Sequence, residues 1–346
     1  MKALFYSELR GHAGIQIGNL PMPEHGDHEV LVRIRAFSLN HIDVWVMEGK
    51  MPADRVPMPH IFGSDAAGVV EKVGSHVNGF KPGDEVIIFP GLSCGHCGEC
   101  MSGRDITCSA FGILGVFTQG VSAEYVVVPE ANVVKKPDGL AFIEAAALGV
   151  TYTTSWHSLV LRASIRQGDT VLIHGAGSGV GTALVQIAKL FNATVIGTVG
   201  DDEKIARAEV LGADYVINHR TKNFVDEVAR ITGGRLCDIV VDHVGASTFI
   251  GSTQCVRRGG SVVFFGTTTG DEVNISLRSL FSRNINLHGV YFGPKRAFLE
   301  CLKLFPHALR PVLDSSFPLE DAQKAYETLL SRNFFGKIVI QMEAEE

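Results

Sequence analysis

Residues 171–190 read VLIHGAGSGVGTALVQIAKL: a β-branched apolar run, a glycine-rich turn and an amphipathic stretch in direct succession. Glycines at 177, 179 and 181 allow a sharp turn, close approach of the backbone to an anion, and tight packing of the following helix on the sheet. The helix N-terminus adds N–H groups without intrahelical partners and the positive end of a dipole. Gly177, Ser178, Gly179 and Val180 are therefore expected to cradle a pyrophosphate. The run is not a strict G-x-G-x-x-G, because Ala176 and Ser178 stand where glycines are usual when its last two glycines are aligned. A merely flexible turn is the competing explanation, and the flanking pattern argues against it.

That pattern alternates from Asp169 to about Val290. Short apolar runs (TVLIH, ATVIGTV, DYVIN, CDIVVDHV, SVVFFG, INLHGV) are separated by helical stretches at Thr182 to Phe191, Asp202 to Leu211, Asn223 to Ile231 and Ser247 to Val256. Uniformly apolar strands are expected where a parallel sheet is covered on both faces. Ala183, Leu184, Ile187, Ala188 and Phe191 recur at helical spacing and would face it. Residues 150–291 thus read as a Rossmann-type, doubly wound dinucleotide-binding domain in an α/β chain. Ligands of such sheets lie beyond the carboxyl ends of the strands, which nominates Val244 and Gly266, Thr267 and Thr268. The second strand ends Thr198-Val199-Gly200, without the acid that usually holds the ribose 2′-hydroxyl of NAD. Asp201 and Asp202 read instead as caps of the next helix. Lys204, His219 and Arg220 offer donors for a 2′-phosphate, so NADPH is expected, with NADH as the alternative.

Residues 1–149 read differently, as strands such as EVLVRIRAFSL, AAGVVEKVG, DEVIIF and AEYVVVP between proline and glycine turns, a barrel-like antiparallel domain. After Tyr291 a helical stretch and the strand KIVIQM suggest that 292–346 returns to complete it. The terminal EAEE (343–346) reads as a frayed end.

Within the first domain, GLSCGHCGECMSGRDITC (91–108) spaces Cys94, Cys97, Cys100 and Cys108 as C-x2-C-x2-C-x7-C. CxxC units present paired thiolates to a metal about 2.3 Å away, and four thiolates close a tetrahedral zinc shell, leaving no place for substrate. The lobe at about 91–110 is expected to hold one structural zinc. An iron–sulfur site is the rival, but its common run has the fourth cysteine three residues on, followed by proline, whereas Ser109 follows here. A disulfide pair is the other. MKALFY passes at once to polar Ser7 and Glu8, so no secretory signal is read and a cytoplasmic, reducing setting is expected. Cys237, Cys255 and Cys301 stand alone among apolar residues and read as core.

At 346 residues the chain exceeds what one core supports. Hydrophobic content of 46%, charged content of 20% and a formal charge of −6 without a basic block favour a globular protein that acts on small molecules and binds neither nucleic acid nor membrane.

Taken in order, PMPEHGDHEVLVRI, LNHIDVW, GSDAAGVVEKVG, FKPGDEV, the cysteine lobe, AAALGVTYTT, the glycine turn, LGADYVIN, VVDHVG and FGKIVI resemble, along essentially the whole chain, the medium-chain dehydrogenase/reductase superfamily of zinc alcohol dehydrogenases and quinone oxidoreductases. The resemblance implies a GroES-like catalytic domain beside the Rossmann domain, and a homodimer or homotetramer joined through the edge of the nucleotide sheet, where INLHGVYF offers an apolar strand. It also implies a catalytic zinc held by a cysteine, a histidine and usually a further cysteine. At the matching positions stand Asn40, Ser64 and Ala147, none a normal zinc ligand, and Asp65 takes the place of a glutamate. His41, His60, Asp43 and Asp65 are the remaining groups that could regroup around a second ion.

Loss of that zinc matters because it lowers the pKa of bound water by roughly 9, worth on the order of 12 kcal/mol. An asparagine or serine does not replace it for alcohol oxidation. A quinone or α,β-unsaturated carbonyl accepts hydride directly and needs only hydrogen-bond donors for its developing oxyanion. The expectation is therefore hydride transfer from NADPH to such an acceptor between the domains. Asn40 and Ser64 would be donors, Thr151 would position the nicotinamide as its family counterpart does, and Trp45 and Phe292 would form apolar walls. Asn40 and Asp43 have a plainer role as fixers of a turn, and Trp45 as core. The alternatives are a zinc-type alcohol or aldehyde dehydrogenase, an enoyl-thioester reductase, and a non-catalytic NADPH-binding sensor or structural protein. Against the second, Met51 in Gly49-Lys50-Met51 replaces the tyrosine acid of that branch.

Overall fold

A computed structural model describes residues 1–8 and 10–342; the acidic end at 343–346 lies outside them. The chain divides into two compact units, Met1–Thr151 with the chain from Pro294 on, and Tyr152–Gly293.

The first unit is built on an antiparallel sheet. Its central strand, Glu29–Ser38, pairs with Asp65–Val73, with Tyr125–Pro129 and with the C-terminal strand Lys337–Gln341. Glu85–Ile88 and Val133–Lys135 extend one side, and Leu313–Pro318 the other, parallel to the C-terminal strand. The register shifts between Ile34 and Ala36 opposite Gly68, where an added Cβ would lie 2.1 Å from the Arg33 carbonyl oxygen. Glycine there permits the local bulge that curls a sheet toward a barrel. A second, three-stranded sheet contains Gln16–Asn19, Lys2–Tyr6 and His60–Ile61. Strands Gly91–Leu92 and Gly112–Ile113 pair antiparallel and close the base of the cysteine loop.

In the second unit six parallel strands are ordered Tyr215–Asn218, Thr194–Val199, Thr170–Ile173, Cys237–Asp242, Val256–Phe264, Asn286–Gly289. Numbered along the unit this is 3-2-1-4-5-6, the dinucleotide-binding order with its switch point between the first and fourth strands. Helices Gly179–Leu190, Glu203–Leu211, Phe224–Ile231 and Ala246–Cys255 connect them. The fold is thus the expected α/β pairing of a GroES-like and a Rossmann domain. The core is continuous aliphatic packing: Leu172, Ile196, Ile217, Val240, Val256 and Val262 are all buried. Uniformly apolar strands follow from that double-sided burial. Among the described residues no helix is long and apolar enough to cross a membrane.

Candidate functional site

The glycine turn joins the strand Thr170–Ile173 to the helix Gly179–Leu190, and Ser178 caps that helix, its Oγ accepting from the Gly181 N–H at 2.9 Å. A Cβ on Gly181 would lie 2.1 Å from the Gly175 carbonyl oxygen, so only glycine lets the helix sit this close to the turn. A buried chain that sequence reasoning missed roots the turn in the sheet. Gly175 N–H donates to Thr198 Oγ1 at 3.1 Å, Thr198 Oγ1 lies 3.3 Å from His174 Nδ1, His174 Nε2 lies 3.0 Å from Ser252 Oγ, and Ser252 donates to Asp242 at 2.6 Å. These contacts are all satisfied if His174 carries its proton on Nε2. Burial pushes the His174 pKa down to about 4, only partly opposed by Asp242, which keeps the ring neutral. A histidine at the end of a buried strand was the available signal.

The other candidate cofactor residues of this unit follow carboxyl ends of strands. Thr269, immediately after Gly266–Thr268, donates its N–H and its hydroxyl to the Val244 carbonyl, each at 2.9 Å, which brings Val244 beside the end of that turn. Gly200 is flanked by His219 and Arg220: an added Cβ would lie 3.4 Å from the His219 ring and 3.5 Å from Arg220 Nε. Burial and the neighbouring Arg220 lower the His219 pKa. Lys204 lies in the first turn of the next helix. Of the two expected caps, Asp201 accepts from Glu203 N–H, whereas Asp202 accepts from the Asn218 amide at 2.8 Å and ties helix to strand. Phe292 is only 5% exposed, so it is packing more than wall, and its carbonyl lies 2.8 Å from His157 Nδ1.

In the first unit Asn40, one of the three residues at zinc-ligand positions, joins Asp65 and Lys337 in a buried polar cluster. Asn40 precedes the helix His41–Met47, and Asp43 secures that turn by accepting from Asn40 N–H at 2.8 Å. The Asn40 side chain does something else: Nδ2 donates to Asp65 Oδ2 at 2.9 Å, and Oδ1 accepts from Lys337 Nζ at 2.7 Å. Lys337 also donates to the Leu39 carbonyl and to Asp65. Asp65 Oδ1 accepts from Val150 N–H at 2.7 Å, and a Cβ on Gly149 would lie 2.3 Å from that oxygen. Burial pulls the Lys337 pKa down, with Asp65 opposing. Burial pushes Asp43 up to about 7, although Asn40 N–H and Lys337 favour its charge.

Ser64, fully buried, donates its one hydroxyl proton to the Leu114 carbonyl at 2.8 Å, which removes the expected second donor. Ala147 is buried, and its carbonyl accepts from Thr151 Oγ1 at 2.9 Å. Trp45 is half-buried, edge-on to His41. The groups weighed for a second ion do not converge: His60 is buried with Nε2 on the Gly115 carbonyl, and among the described residues the four cysteines form the one cluster of three or more metal-ligating side chains.

Those cysteine sulfurs lie within 4.8 Å of one another, with Cys94–Cys100 at 3.9 Å, Cys97–Cys100 at 3.6 Å and Cys94–Cys108 at 3.5 Å. Tetrahedral Zn–S bonds of about 2.3 Å place sulfurs about 3.8 Å apart, so the set fits zinc. Backbone N–H groups of His96 and Cys97 lower the Cys94 pKa to about 6, while Cys97, sharing hydrogen bonds with the Cys100 and Cys94 sulfurs, is pushed up to about 11, as thiols crowded into one site compete for charge.

Two family models match: the alcohol dehydrogenase GroES-like domain over residues 26–138 and the zinc-binding dehydrogenase over 179–306. The quinone oxidoreductase of Sus scrofa is 30% identical over 93% of this chain and 91% of its own. The chain belongs to the medium-chain dehydrogenase/reductase superfamily. As a member it is an oxidoreductase with a nicotinamide cofactor and a cysteine cluster suited to structural zinc. Among solved structures, an NAD-dependent alcohol dehydrogenase superposes with a TM-score of 0.95 at 42% identity, covering 99% of this chain and 100% of that one. A crotonyl-CoA carboxylase/reductase in complex with NADP gives 0.93 at 25% identity, over 100% and 95%.

Proposed function

We propose that this superfamily member reduces an acceptor that is already electrophilic, a quinone or an α,β-unsaturated carbonyl, using NADPH and no catalytic zinc. The observation that carries this is the chemistry at the zinc-ligand positions. Asn40, Ser64 and Ala147 supply no metal ligand, and the Asp65 carboxylate is bonded to the Lys337 ammonium and to the Asn40 amide. A divalent ion recruited by Asp65 would have to compete with that buried cation.

When bound, the reduced nicotinamide supplies the hydride. Asn40 has two N–H protons on Nδ2, and one is held by Asp65. The other would serve as the donor for the acceptor's oxygen, where negative charge develops. Asn40 is buried at 7% exposure, so little water would compete for that N–H. Thr151, its hydroxyl fixed on Ala147, would position the nicotinamide. Gly177 to Val180 would hold the pyrophosphate, and Gly200 with His219, Arg220 and Lys204 the 2′-phosphate, since the strand ends in Gly200 rather than an acid and the Arg220 guanidinium and the His219 ring lie beside it.

An NAD-dependent alcohol dehydrogenase is the second reading, favoured by likeness to the structure of that description. NADPH and NADH oxidation against quinone, enone and aldehyde panels, with zinc measured on the same sample, separates the two. One zinc per chain and turnover of a quinone or enone is expected. Two zincs per chain with chelator-sensitive alcohol oxidation would refute the proposal.

The protein is further proposed to be a cytoplasmic homodimer or homotetramer with small-molecule substrates. The edge strand Asn286–Gly289 is flanked by exposed apolar groups: Leu277 is 72%, Phe281 68% and Tyr291 55% exposed.

A further inference from the structure

Lys337 opens the C-terminal strand, which runs antiparallel to Glu29–Ser38 with Val339 opposite Ser38. Leu39 N–H donates to the Ile338 carbonyl, so this register delivers Lys337 beside Leu39 and Asn40. Gly336, at φ +109°, makes the approach possible, because a Cβ there would lie 2.3 Å from the Val312 carbonyl oxygen. The ammonium has three N–H groups and three acceptors: Leu39 carbonyl at 2.8 Å, Asn40 Oδ1 at 2.7 Å and Asp65 Oδ2 at 3.2 Å. At 4% exposure and with every proton engaged, it has nothing left to offer a substrate.

It does decide which end of Asn40 points where. Rotating that amide by half a turn would set its NH2 against the ammonium and its oxygen against the Asp65 carboxylate, two buried repulsions in place of two charge-assisted bonds. We infer that Lys337 is a positioning residue for Asn40, holding the amide with Oδ1 turned to the ammonium so that a free N–H is the group presented to the acceptor. This rests on the proposed role of Asn40 as the acceptor's donor. It adds that the C-terminal strand, remote in sequence, enforces the polarity of that donor.

The test combines Lys337→Met, Asn40→Ala and the double variant, assayed with NADPH and the best acceptor of the panel. Lys337→Met is expected to lower kcat by about 10- to 100-fold with the KM for NADPH unchanged, and the double variant to be no slower than Asn40→Ala. Lys337→Gln, which still donates to Asn40 Oδ1, should recover part of the loss and carries the comparison should Lys337→Met not fold. In 15N-labelled protein the Asn40 side-chain amide, assigned by its disappearance in Asn40→Ala, should exchange with solvent faster in both Lys337 variants. Losses that multiply, or an Asn40 amide whose exchange is the same without the lysine, would overturn the inference. Full turnover in Asn40→Ala would instead overturn the role of Asn40 in the proposed function, while the exchange measurement still decides the positioning.

Discussion

Gly200→Asp places the acid typical of NAD sites at the end of the second strand. The position accepts it sterically: the new Cβ would meet His219 at 3.4 Å and Arg220 at 3.5 Å, and no positive φ forces glycine. The carboxylate would lie roughly 5 Å from a bound 2′-phosphate. With an effective dielectric of about 40 to 80 this repels NADPH by roughly 1–3 kcal/mol. It would also engage Arg220, and a charge-assisted bond lost by the phosphate is worth about 1.5–3 kcal/mol more. NADH gains a ribose acceptor worth about 1 kcal/mol. The NADPH-to-NADH ratio of kcat/KM should therefore fall by about 3.5–7 kcal/mol, roughly several hundredfold to a hundred-thousandfold, and titration of each cofactor by fluorescence should give the same shift without an acceptor. Gly200→Ala should leave the ratio in place. A native ratio favouring NADH, or one that moves less than about tenfold in Gly200→Asp, would refute the assignment of His219 and Arg220 to the 2′-phosphate.

Cys97→Ser should lose the zinc and lower the melting temperature, seen by elemental analysis and calorimetry, since structural zinc contributes folding free energy directly. Asp43 is buried and titrates near 7, above its unfolded value near 4, so the native state binds the extra proton between the two. Its contribution to stability is present below about pH 4 and is lost as pH rises to about 7, on the order of 4 kcal/mol in all. Urea unfolding of Asp43→Asn against the native protein across that range should show the difference, and parallel profiles would contradict it. Gly181→Ala should abolish cofactor binding or folding, because its Cβ would overlap the Gly175 carbonyl. Leu287→Lys, in the edge strand where Leu287 is 39% exposed, should shift light scattering toward monomer.

What the sequence made legible, and what it hid, divides along one physical line. The glycine turn, the alternating strands and the cysteine spacing are local: each is written in neighbouring residues because backbone torsion, covered sheet faces and metal geometry constrain short windows. The four helices expected between strands of the nucleotide unit fall where 3.6-residue periodicity puts them, Phe224–Ile231 beside the expected Asn223 to Ile231, whereas the short helix Leu277–Phe281 carries too few turns to show a period. The polar cluster is not local. Asn40, Asp65 and Lys337 come from three distant strands or strand ends, and only the register between Lys337–Gln341 and Glu29–Ser38 brings the ammonium to the amide. FGKIVI could be read as a strand, but not as the source of a buried cation, since a lysine at a strand start is usually solvated. Ser64 shows the converse. Its hydroxyl looked available until a carbonyl 50 residues away, on Leu114, claimed its proton. The one clue was negative: positions that lose their metal ligands while Asp65 keeps its charge must balance that charge with something. In this chain a lysine does so, and a neutral asparagine between the two charges becomes a donor of fixed direction.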